Sequence, residues 1–190
     1  MNKKMLVVYY SWSNGNTEAI AEQLADACDA DICRIETVEP YPSDYDETVE
    51  QAHREVDAGY EPAIEQLEFD PSGYDIVAVG TPTWWYTMAP AVKTFMGGVD
   101  WSGKTVIAFA TNGGWTGSTL DDIEDAAVGA IAGPSFAAQF DSTGGSRQVT
   151  PQAEVDVWIE RVRALQIVAS RRSLRTLQFQ GPAAFLHISS

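Results

Sequence analysis

Short apolar runs alternate with amphipathic stretches along most of this chain. The apolar runs contain few polar residues, a pattern typical of strands that are covered on both faces of a sheet. Because helical stretches separate the runs, the pattern predicts a parallel sheet, and the right-handed crossover rule leaves few topologies for it. We therefore expect a five-stranded, doubly wound sheet in a three-layer α/β/α domain over residues 1–165. The predicted strands lie at residues 6–10, 31–35, 74–80, 105–110 and 135–140.

Helices are predicted where apolar residues recur at helical spacing. Pro90 near the start of one stretch and Gly97-Gly98 at its end follow the usual asymmetry of helix ends. In the long connection between the second and third strands, an acidic segment predicts a surface helix, and its lone histidine, His53, is interpreted as a solvated residue. The predicted helices span residues 16–27, 45–56, 89–96, 117–131 and 150–165.

The first predicted strand leads directly into a turn rich in hydroxyl and amide side chains. A helix N-terminus after such a turn presents free backbone N–H groups, which form an anion site. The turn contains no Lys or Arg, so it suits one phosphate held by neutral donors better than the triphosphate of a nucleotide hydrolase. The same residue types also occur at ordinary capped helix starts. The turn consists of Ser11, Trp12, Ser13, Asn14, Gly15, Asn16 and Thr17.

Two further loops follow the third and fourth predicted strands. The earlier loop carries three consecutive aromatic residues, and aromatic rings stack on flat conjugated systems and exclude water from them. One of the three is expected to pack on the hydrophobic core rather than on a ligand. The later loop combines a further tryptophan with glycines, which let backbone N–H groups approach a ligand closely. The candidate residues are Thr81, Pro82, Thr83, Trp84, Trp85 and Tyr86 in the earlier loop and Thr111, Asn112, Gly113, Gly114 and Trp115 in the later one.

All three loops are expected at one edge of the sheet. Ligands of doubly wound sheets bind beyond the carboxyl ends of the strands, at the switch point. There the first loop offers donors to a phosphate, whereas the other two offer aromatic faces and backbone amides. A planar heterocycle that carries a single phosphate fits this combination, which predicts FMN as the cofactor.

The order and content of these loops resemble the flavodoxin family over residues 5–165. The resemblance implies a flavodoxin-like fold of the short-chain type, noncovalent FMN and one-electron transfer. By position, Ser11 and residues 13–17 would hold the phosphate, and residues 81–85 and 111–115 would hold the isoalloxazine ring. Trp84 is the best match to the family's stacking aromatic and Trp115 is a looser match, while Trp85 stands where many members carry a small residue. Trp12 and Tyr86 complete the predicted cofactor site.

The acidic composition limits the classes of partner. The chain has 27 Asp and Glu residues against 12 Lys and Arg, for a net charge of −15. This balance argues against nucleic acids and anionic membranes, because their phosphates require a basic face. It is compatible with a redox partner that has a basic docking face and is attracted by charge, or with acidity that only maintains solubility. Because carboxylates and stacked rings both disfavour added negative charge on a flavin, we expect a low-potential electron carrier.

An FMN-dependent reductase that oxidises NAD(P)H and reduces quinones is the alternative function, since it would share the fold and the cofactor. The chain shows no recognisable dinucleotide motif and few basic residues for a 2′-phosphate, which favours the electron carrier. A receiver-type signalling module would need acidic residues where Tyr9-Tyr10-Ser11 stands. With only His53 and His187, metal catalysis is not expected, and the missing Gly-Lys-Ser/Thr excludes a P-loop hydrolase.

The cysteines and the chain ends bear on location. Cys28 and Cys33 are predicted to be buried, reduced thiols, as in cytoplasmic proteins. The first strand begins too early for a signal peptide, and no apolar run approaches the roughly 20 residues that span a membrane. Residues 166–190 contain three arginines and no acid. They are interpreted as a tail of uncertain origin, either vector-derived sequence or an extension that packs on a neighbouring chain.

Overall fold

The computed structural model describes the backbone of residues 3–178 and the side chains of residues 3–166. The strands are β1 (Met5–Tyr9), β2 (Asp31–Arg34), β3 (Ile76–Trp84), β4 (Thr87–Met88), β5 (Thr105–Asn112), β6 (Ile131–Ala132) and β7 (Phe136–Gln139). The helices are α1 (Asn16–Cys28), α2 (Tyr45–Ala58), α3 (Pro90–Gly97), α4 (Thr119–Ala126) and α5 (Gln152–Gln178).

The sheet has the predicted doubly wound arrangement. Its strands run in the order β2-β1-β3-β5, and β6 and β7 both pair with β5 at the far edge. All of these pairs are parallel. The chain therefore moves outward from β1 to one edge, returns to β3 and continues to the other edge, so the switch point lies between β1 and β3.

The fifth sheet position is divided into two short strands. Residues 133–135 separate β6 from β7, and Gly133 still donates its N–H to the Val106 carbonyl at 2.7 Å. Pro134 follows, and because proline has no N–H it cannot extend the ladder. The predicted strand over residues 135–140 is thus confirmed as β7, and only three residues separate it from β6.

Alternate residues of the central strands point to opposite faces of the sheet. On one face Leu6 and Val77 pack in a buried cluster with side chains of α3 and α4. On the other face Val7 and Ala78 pack in a second cluster with α1 and α5. Both faces are therefore covered, which explains why the strands carry apolar runs rather than alternating patterns.

Two predicted helices have different ends in the structure. The helix predicted over residues 117–131 covers only Thr119–Ala126, because Ile131 and Ala132 join the sheet edge as β6. The last helix continues past its predicted end at residue 165 to Gln178. The division at residue 166 thus falls within α5, and residues 179–190 of the predicted tail lie outside the described residues. In the part of the chain that the structure describes, no helix combines the length and apolarity needed to cross a membrane.

Candidate functional site

A cleft of about 370 Å³ opens at the carboxyl ends of the central strands. Loops after β1, β3, β5 and β7 line it, and one face of α2 forms a further wall. The volume falls within the range of about 300–1,000 Å³ that is usual for small-molecule and cofactor sites. The position agrees with the expectation that the loops after successive parallel strands meet at one edge.

The phosphate-side turn, residues 11–17, brings the start of α1 to the cleft. Ser13 and Gly15 have left-handed backbone, with φ of +66° and +70°, which lets the chain reverse directly after β1. Gly15 is the N-cap of α1, and no side chain in the described structure caps the helix there. The first backbone N–H groups of α1 are consequently available to an anion.

Two hydroxyls of the phosphate-side turn are buried. Thr17 and Thr111 place their Oγ1 atoms 2.7 Å apart, so a hydrogen bond joins the first loop to the third. Ser11 is 2% exposed, and its Oγ has no hydrogen-bond partner among the described residues. A buried polar group left in this way costs about 1–3 kcal/mol. An oxygen of a bound phosphate would satisfy the Ser11 hydroxyl, so the residues present fit that group.

A fourth loop, residues 141–145 after β7, packs on the phosphate-side turn. The side-chain amide of Asn16 donates to the Gly145 carbonyl at 3.1 Å, and that of Asn14 donates to the Gly144 carbonyl. These two amides therefore point to the fourth loop, which leaves the hydroxyls and backbone N–H groups as the donors toward the cleft. This loop is not among those predicted from the sequence, although its Asp-Ser-Thr-Gly-Gly composition after a predicted strand resembles that of the other three.

The charge of the cleft is low and negative. Of the described residues that line it, none is Lys or Arg, and Asp141 is the one carboxylate. The Asp141 side chain accepts hydrogen bonds from the Thr143 N–H at 3.0 Å and from its hydroxyl at 2.8 Å. These hydrogen bonds lower the pKa of the Asp141 carboxyl, which is consequently ionised at neutral pH. The cleft therefore offers an anion neutral donors rather than a cationic partner.

The second predicted loop is largely a β-hairpin. β3 continues to Trp84, which pairs with Thr87 of β4, and a two-residue hairpin turn, Trp85–Tyr86, joins the strands. Both turn residues have left-handed backbone, with φ of +49° and +68°. This geometry normally selects Asn-Gly or similar pairs. In other residues it costs of order 1–3 kcal/mol each, and such strain is concentrated at functional sites.

Trp84 is fixed in a cluster of aromatic rings. Its centroid lies 5.6 Å from that of Tyr10 and 5.0 Å from that of Tyr41, with the ring planes nearly perpendicular. Burial, and then a hydrogen bond to Glu55, raise the pKa of Tyr41, so its hydroxyl stays protonated and donates to that carboxylate. Trp12 also meets Trp84 edge to face at 6.3 Å. These contacts set the Trp84 ring as a rigid wall of the cleft.

Tyr86 and Trp115 form a more exposed aromatic pair at the cleft mouth. Their side chains are 58% and 74% exposed, and their centroids lie 5.9 Å apart with the planes at 71°. The Tyr86 carbonyl accepts the Ser118 N–H at 2.9 Å. Gly117 permits this contact, because a Cβ on it would lie 2.2 Å from the Tyr86 oxygen. The third loop thus holds the hairpin turn from one side.

Helix α2 holds the hairpin turn from the other side. Trp85 donates its indole N–H to the Val49 carbonyl at 3.0 Å, and the ring of His53 stacks on the indole. Thr48 and Ala52 line the cleft beside them. His53 is exposed, as its interpretation as a solvated residue predicts, and its ring also contacts a cleft residue, which the sequence did not indicate. Sequence periodicity could predict α2 but not the elements on which it packs.

The cleft brings together all but four of the predicted cofactor residues. Ser11 and Gly15 lie in the phosphate-side turn but are not among the residues that line the cleft, and Ser11 is buried whereas Gly15 is partly exposed. Thr81 is fully buried and accepts the Ala89 N–H at 3.0 Å, while the Gly114 N–H bonds the Asn112 side chain at 2.8 Å. The residues on the cleft surface are Trp12, Ser13, Asn14, Asn16, Thr17, Pro82, Thr83, Trp84, Trp85, Tyr86, Thr111, Asn112, Gly113 and Trp115.

Comparison with known proteins gives a consistent result. A sequence profile described as Flavodoxin matches residues 4–133. A flavoprotein from Lactobacillus acidophilus, solved in complex with FMN, is 26% identical with a TM-score of 0.64, over 82% of this chain and 98% of that one. A candidate flavoprotein from Bacteroides eggerthii is 27% identical with a TM-score of 0.67, over 84% of this chain and 97% of that one.

A more distant structure shares the fold alone. The WrbA-like flavodoxin from Agrobacterium tumefaciens is 16% identical with a TM-score of 0.57, over 89% of this chain and 98% of that one. Among curated protein sequences, none matches the chain significantly.

Proposed function

The chain belongs to the flavodoxin family, whose cofactor is FMN, and from that premise we propose that it is a low-potential electron-transfer protein. The observation that carries FMN binding, on which the proposal depends, is the phosphate-side turn, with its uncapped helix start and the unpartnered buried hydroxyl of Ser11. FMN supplies the redox chemistry when bound, and the protein supplies binding, orientation and electrostatics.

The phosphate end of FMN would be held by neutral donors. The Ser13 and Thr17 hydroxyls on the cleft and the first N–H groups of α1 would supply these donors, and the buried Ser11 hydroxyl in the same turn would add one more. Hydrogen bonds to a charged group contribute about 1.5–3 kcal/mol each, roughly twice the contribution of neutral pairs. Several such bonds compensate for the missing lysine or arginine.

The ring end of FMN would lie between aromatic side chains. Trp84 supplies a rigid, half-buried wall, while Trp85, Tyr86 and Trp115 line the more open side. Such rings exclude water and stack on a flat heterocycle. The fixed peptide groups of the hairpin turn add hydrogen-bonding groups along the same wall.

Acidic residues support the low reduction potential that we propose. Reduction adds electrons to the cofactor, and Asp141 on the cleft and the net charge of −15 oppose added negative charge. A unit charge 4 Å away contributes about 4 kcal/mol at an effective dielectric constant of 20, although salt strongly screens the distant charges. The nearest carboxylates therefore matter most.

The exposed surface of α2 supports a basic docking face on the redox partner. Asp46, Glu47 and Glu50 are exposed on the helix whose other face lines the cleft. A cationic partner attracted to them would be drawn to the helix that forms one wall of the cleft. Cys28 and Cys33 are buried and unpaired, as predicted, and this supports a reducing, cytoplasmic environment.

A redox titration and a mixing experiment test the proposal together. The protein loaded with FMN should show a final reduction step at a potential below that of free FMN. Rapid mixing with NADH or NADPH in the absence of a partner reductase should leave the flavin oxidised. A final potential at or above that of free FMN, or fast bleaching by a nicotinamide, would contradict the electron-carrier proposal, and bleaching would indicate the reductase instead.

A further inference from the structure

The contact between His53 and Trp85 joins α2 to the hairpin turn. The centroids of the two rings lie 3.9 Å apart, and the planes are inclined by only 17°. The Trp85 indole N–H donates to the carbonyl of Val49, which stands four residues before His53 on α2. Because residues four apart share a helix face, a single face of α2 holds the indole both at its N–H and across its ring.

The hairpin turn needs external support to keep its conformation. Trp85 and Tyr86 both adopt left-handed backbone, and they are 40% and 58% exposed, so burial of their side chains offsets little of that cost. On the Tyr86 side, the carbonyl is fixed by the Ser118 N–H at 2.9 Å and the Ser118 hydroxyl at 3.3 Å. On the Trp85 side, the support comes from Val49 and His53.

We propose that His53 is a positioning residue of the flavin site, which fixes the Trp85 ring and thereby the peptide groups of the hairpin turn on the wall of the cleft. The inference rests on the proposed function, because its effect is exerted on a bound flavin. Polar groups beside a flavin set its relative affinity in the oxidised and reduced states. Loss of the His53 ring would release the turn from a costly conformation and change that ratio of affinities.

Stacking, rather than charge, is the contact that matters in this inference. His53 Nε2 also lies 3.4 Å from the Asp57 carboxylate, one helical turn further along α2. Asp57 is largely exposed and lies on the same helix, so the pair does not reach the hairpin turn. An aromatic ring without a charge should therefore replace His53, whereas removal of the Asp57 charge should have little effect.

Four variants and one control variant separate these contributions. H53A and H53L remove the stacked ring, and H53F keeps a ring without the imidazole. D57N removes the charge beside the ring. R54A is the matched surface control, because Arg54 is the next residue on α2 and pairs with Glu50 on the same helix at 4.0 Å. H53L retains apolar bulk, so it reports on the turn even where H53A loses stability.

Each variant is compared in its affinity for FMN and in the environment of Trp85. Dissociation constants for oxidised FMN, combined with midpoint potentials, give the ratio of affinities for reduced and oxidised cofactor. In the protein without FMN, the indole N–H resonance of Trp85 reports directly on the stacked ring, and W85F assigns that resonance. We expect H53A and H53L to change the ratio about tenfold, or about 30 mV for a two-electron couple. H53F, D57N and R54A should stay within twofold of the unmodified protein.

The outcomes distinguish this inference from the proposed function. If H53A and H53L match R54A in the affinity ratio, or if H53F changes the ratio as much as they do, the positioning role is wrong while FMN binding stands. An unchanged Trp85 indole resonance in H53A would overturn the role without any cofactor. Failure of the unmodified protein to bind FMN would overturn both the proposed function and the inference.

Discussion

The phosphate-side turn and the hairpin turn both use left-handed backbone, yet they reach it with very different residues. In the phosphate-side turn, Ser13 and Gly15 adopt this conformation, and Gly15 does so without steric cost because it has no Cβ. In the hairpin turn the conformation is adopted by Trp85 and Tyr86, for which it is costly. The first turn can therefore form from local sequence, whereas the second depends on α2 and the third loop to hold it.

Because of this difference, the phosphate and the ring of FMN should each be sensitive to changes in a different part of the site. Changes at the phosphate-side turn should affect binding of FMN and spare riboflavin, which lacks the phosphate. Changes at the hairpin turn should affect both flavins, because both carry the ring. The free energy of unfolding of each variant without flavin measures the cost of forming its turn. The affinity for flavin measures the contribution of the contacts that the turn makes with the ligand.

The largest expected effect comes from closing the space that Gly117 leaves for the hairpin turn. G117A places a Cβ 2.2 Å from the Tyr86 carbonyl at a residue with φ of +57°. We expect a loss of roughly 2–4 kcal/mol in the free energy of unfolding, measured by urea denaturation, from backbone strain and overpacking together.

G103A is the matched control for that variant. Gly103 also has a positive φ, +75°, but a Cβ there meets no atom within 4 Å. It should lose only the strain contribution, about 1 kcal/mol. Equal losses in the two variants would show that the hairpin turn does not depend on its contact with the third loop.

Replacing Thr17 should weaken FMN selectively. T17V removes a hydroxyl from the phosphate-side turn, and loss of a hydrogen bond to a charged group of about 1.5–3 kcal/mol corresponds to about 10–100-fold in affinity. T17S should retain most of the affinity. Because Thr17 also bonds Thr111, T111V shows how much of the change comes from the protein itself. Flavin fluorescence titrations with FMN and riboflavin give the comparison, and an equal loss for both ligands would contradict the phosphate assignment.

The strain at Tyr86 can be isolated with two variants that both lack the ring. Alanine is normally favoured over glycine, but at a φ of +68° the order should reverse. We expect Y86G to be about 1 kcal/mol more stable to urea than Y86A, with both variants binding FMN and riboflavin less tightly by similar factors. A more stable Y86A would mean that the left-handed conformation carries no cost there.

The smallest expected effect is electrostatic. D141N removes the carboxylate on the cleft but keeps an oxygen that accepts the Thr143 hydrogen bonds. Because the pKa of Asp141 is lowered, the charge is present at neutral pH and disappears only in acid. FMN affinity should rise about two- to fivefold at low ionic strength and less in salt, since screening reduces the repulsion. An effect that is independent of salt would indicate a structural cause.

The sequence predicted most of the fold and three of the four cleft loops, for physical reasons. Strands covered on both faces carry apolar runs, and the carboxyl ends of parallel strands meet at one edge, so the turns after residues 10, 80 and 110 could be placed together. The fourth loop followed from the same rule and was missed. The end of α4 could not be predicted, because whether Ile131 continues a helix or joins the sheet edge is decided by its pairing with Thr105.

The hairpin turn and its support by α2 lay beyond sequence reasoning. Local preferences argue against left-handed backbone at Trp85 and Tyr86, and tertiary contacts overrode them. Likewise, nothing in the spacing of α2 indicated that His53 would meet Trp85, 32 positions further along the chain, since that contact depends on where the helix packs. The contact that the sequence explains least is therefore the one from which we infer a positioning role for His53.

Calorimetric titration of the FMN-free protein and its S11A variant with FMN and riboflavin tests the central claim most directly. The phosphate-side turn should make FMN bind at least about 100-fold more tightly than riboflavin, because several charge-assisted hydrogen bonds are at stake. S11A should remove about tenfold or more of that preference without destabilising the FMN-free protein, in which the Ser11 hydroxyl has no partner among the described residues. Equal affinity for the two flavins, or an unchanged preference in S11A, would contradict the account.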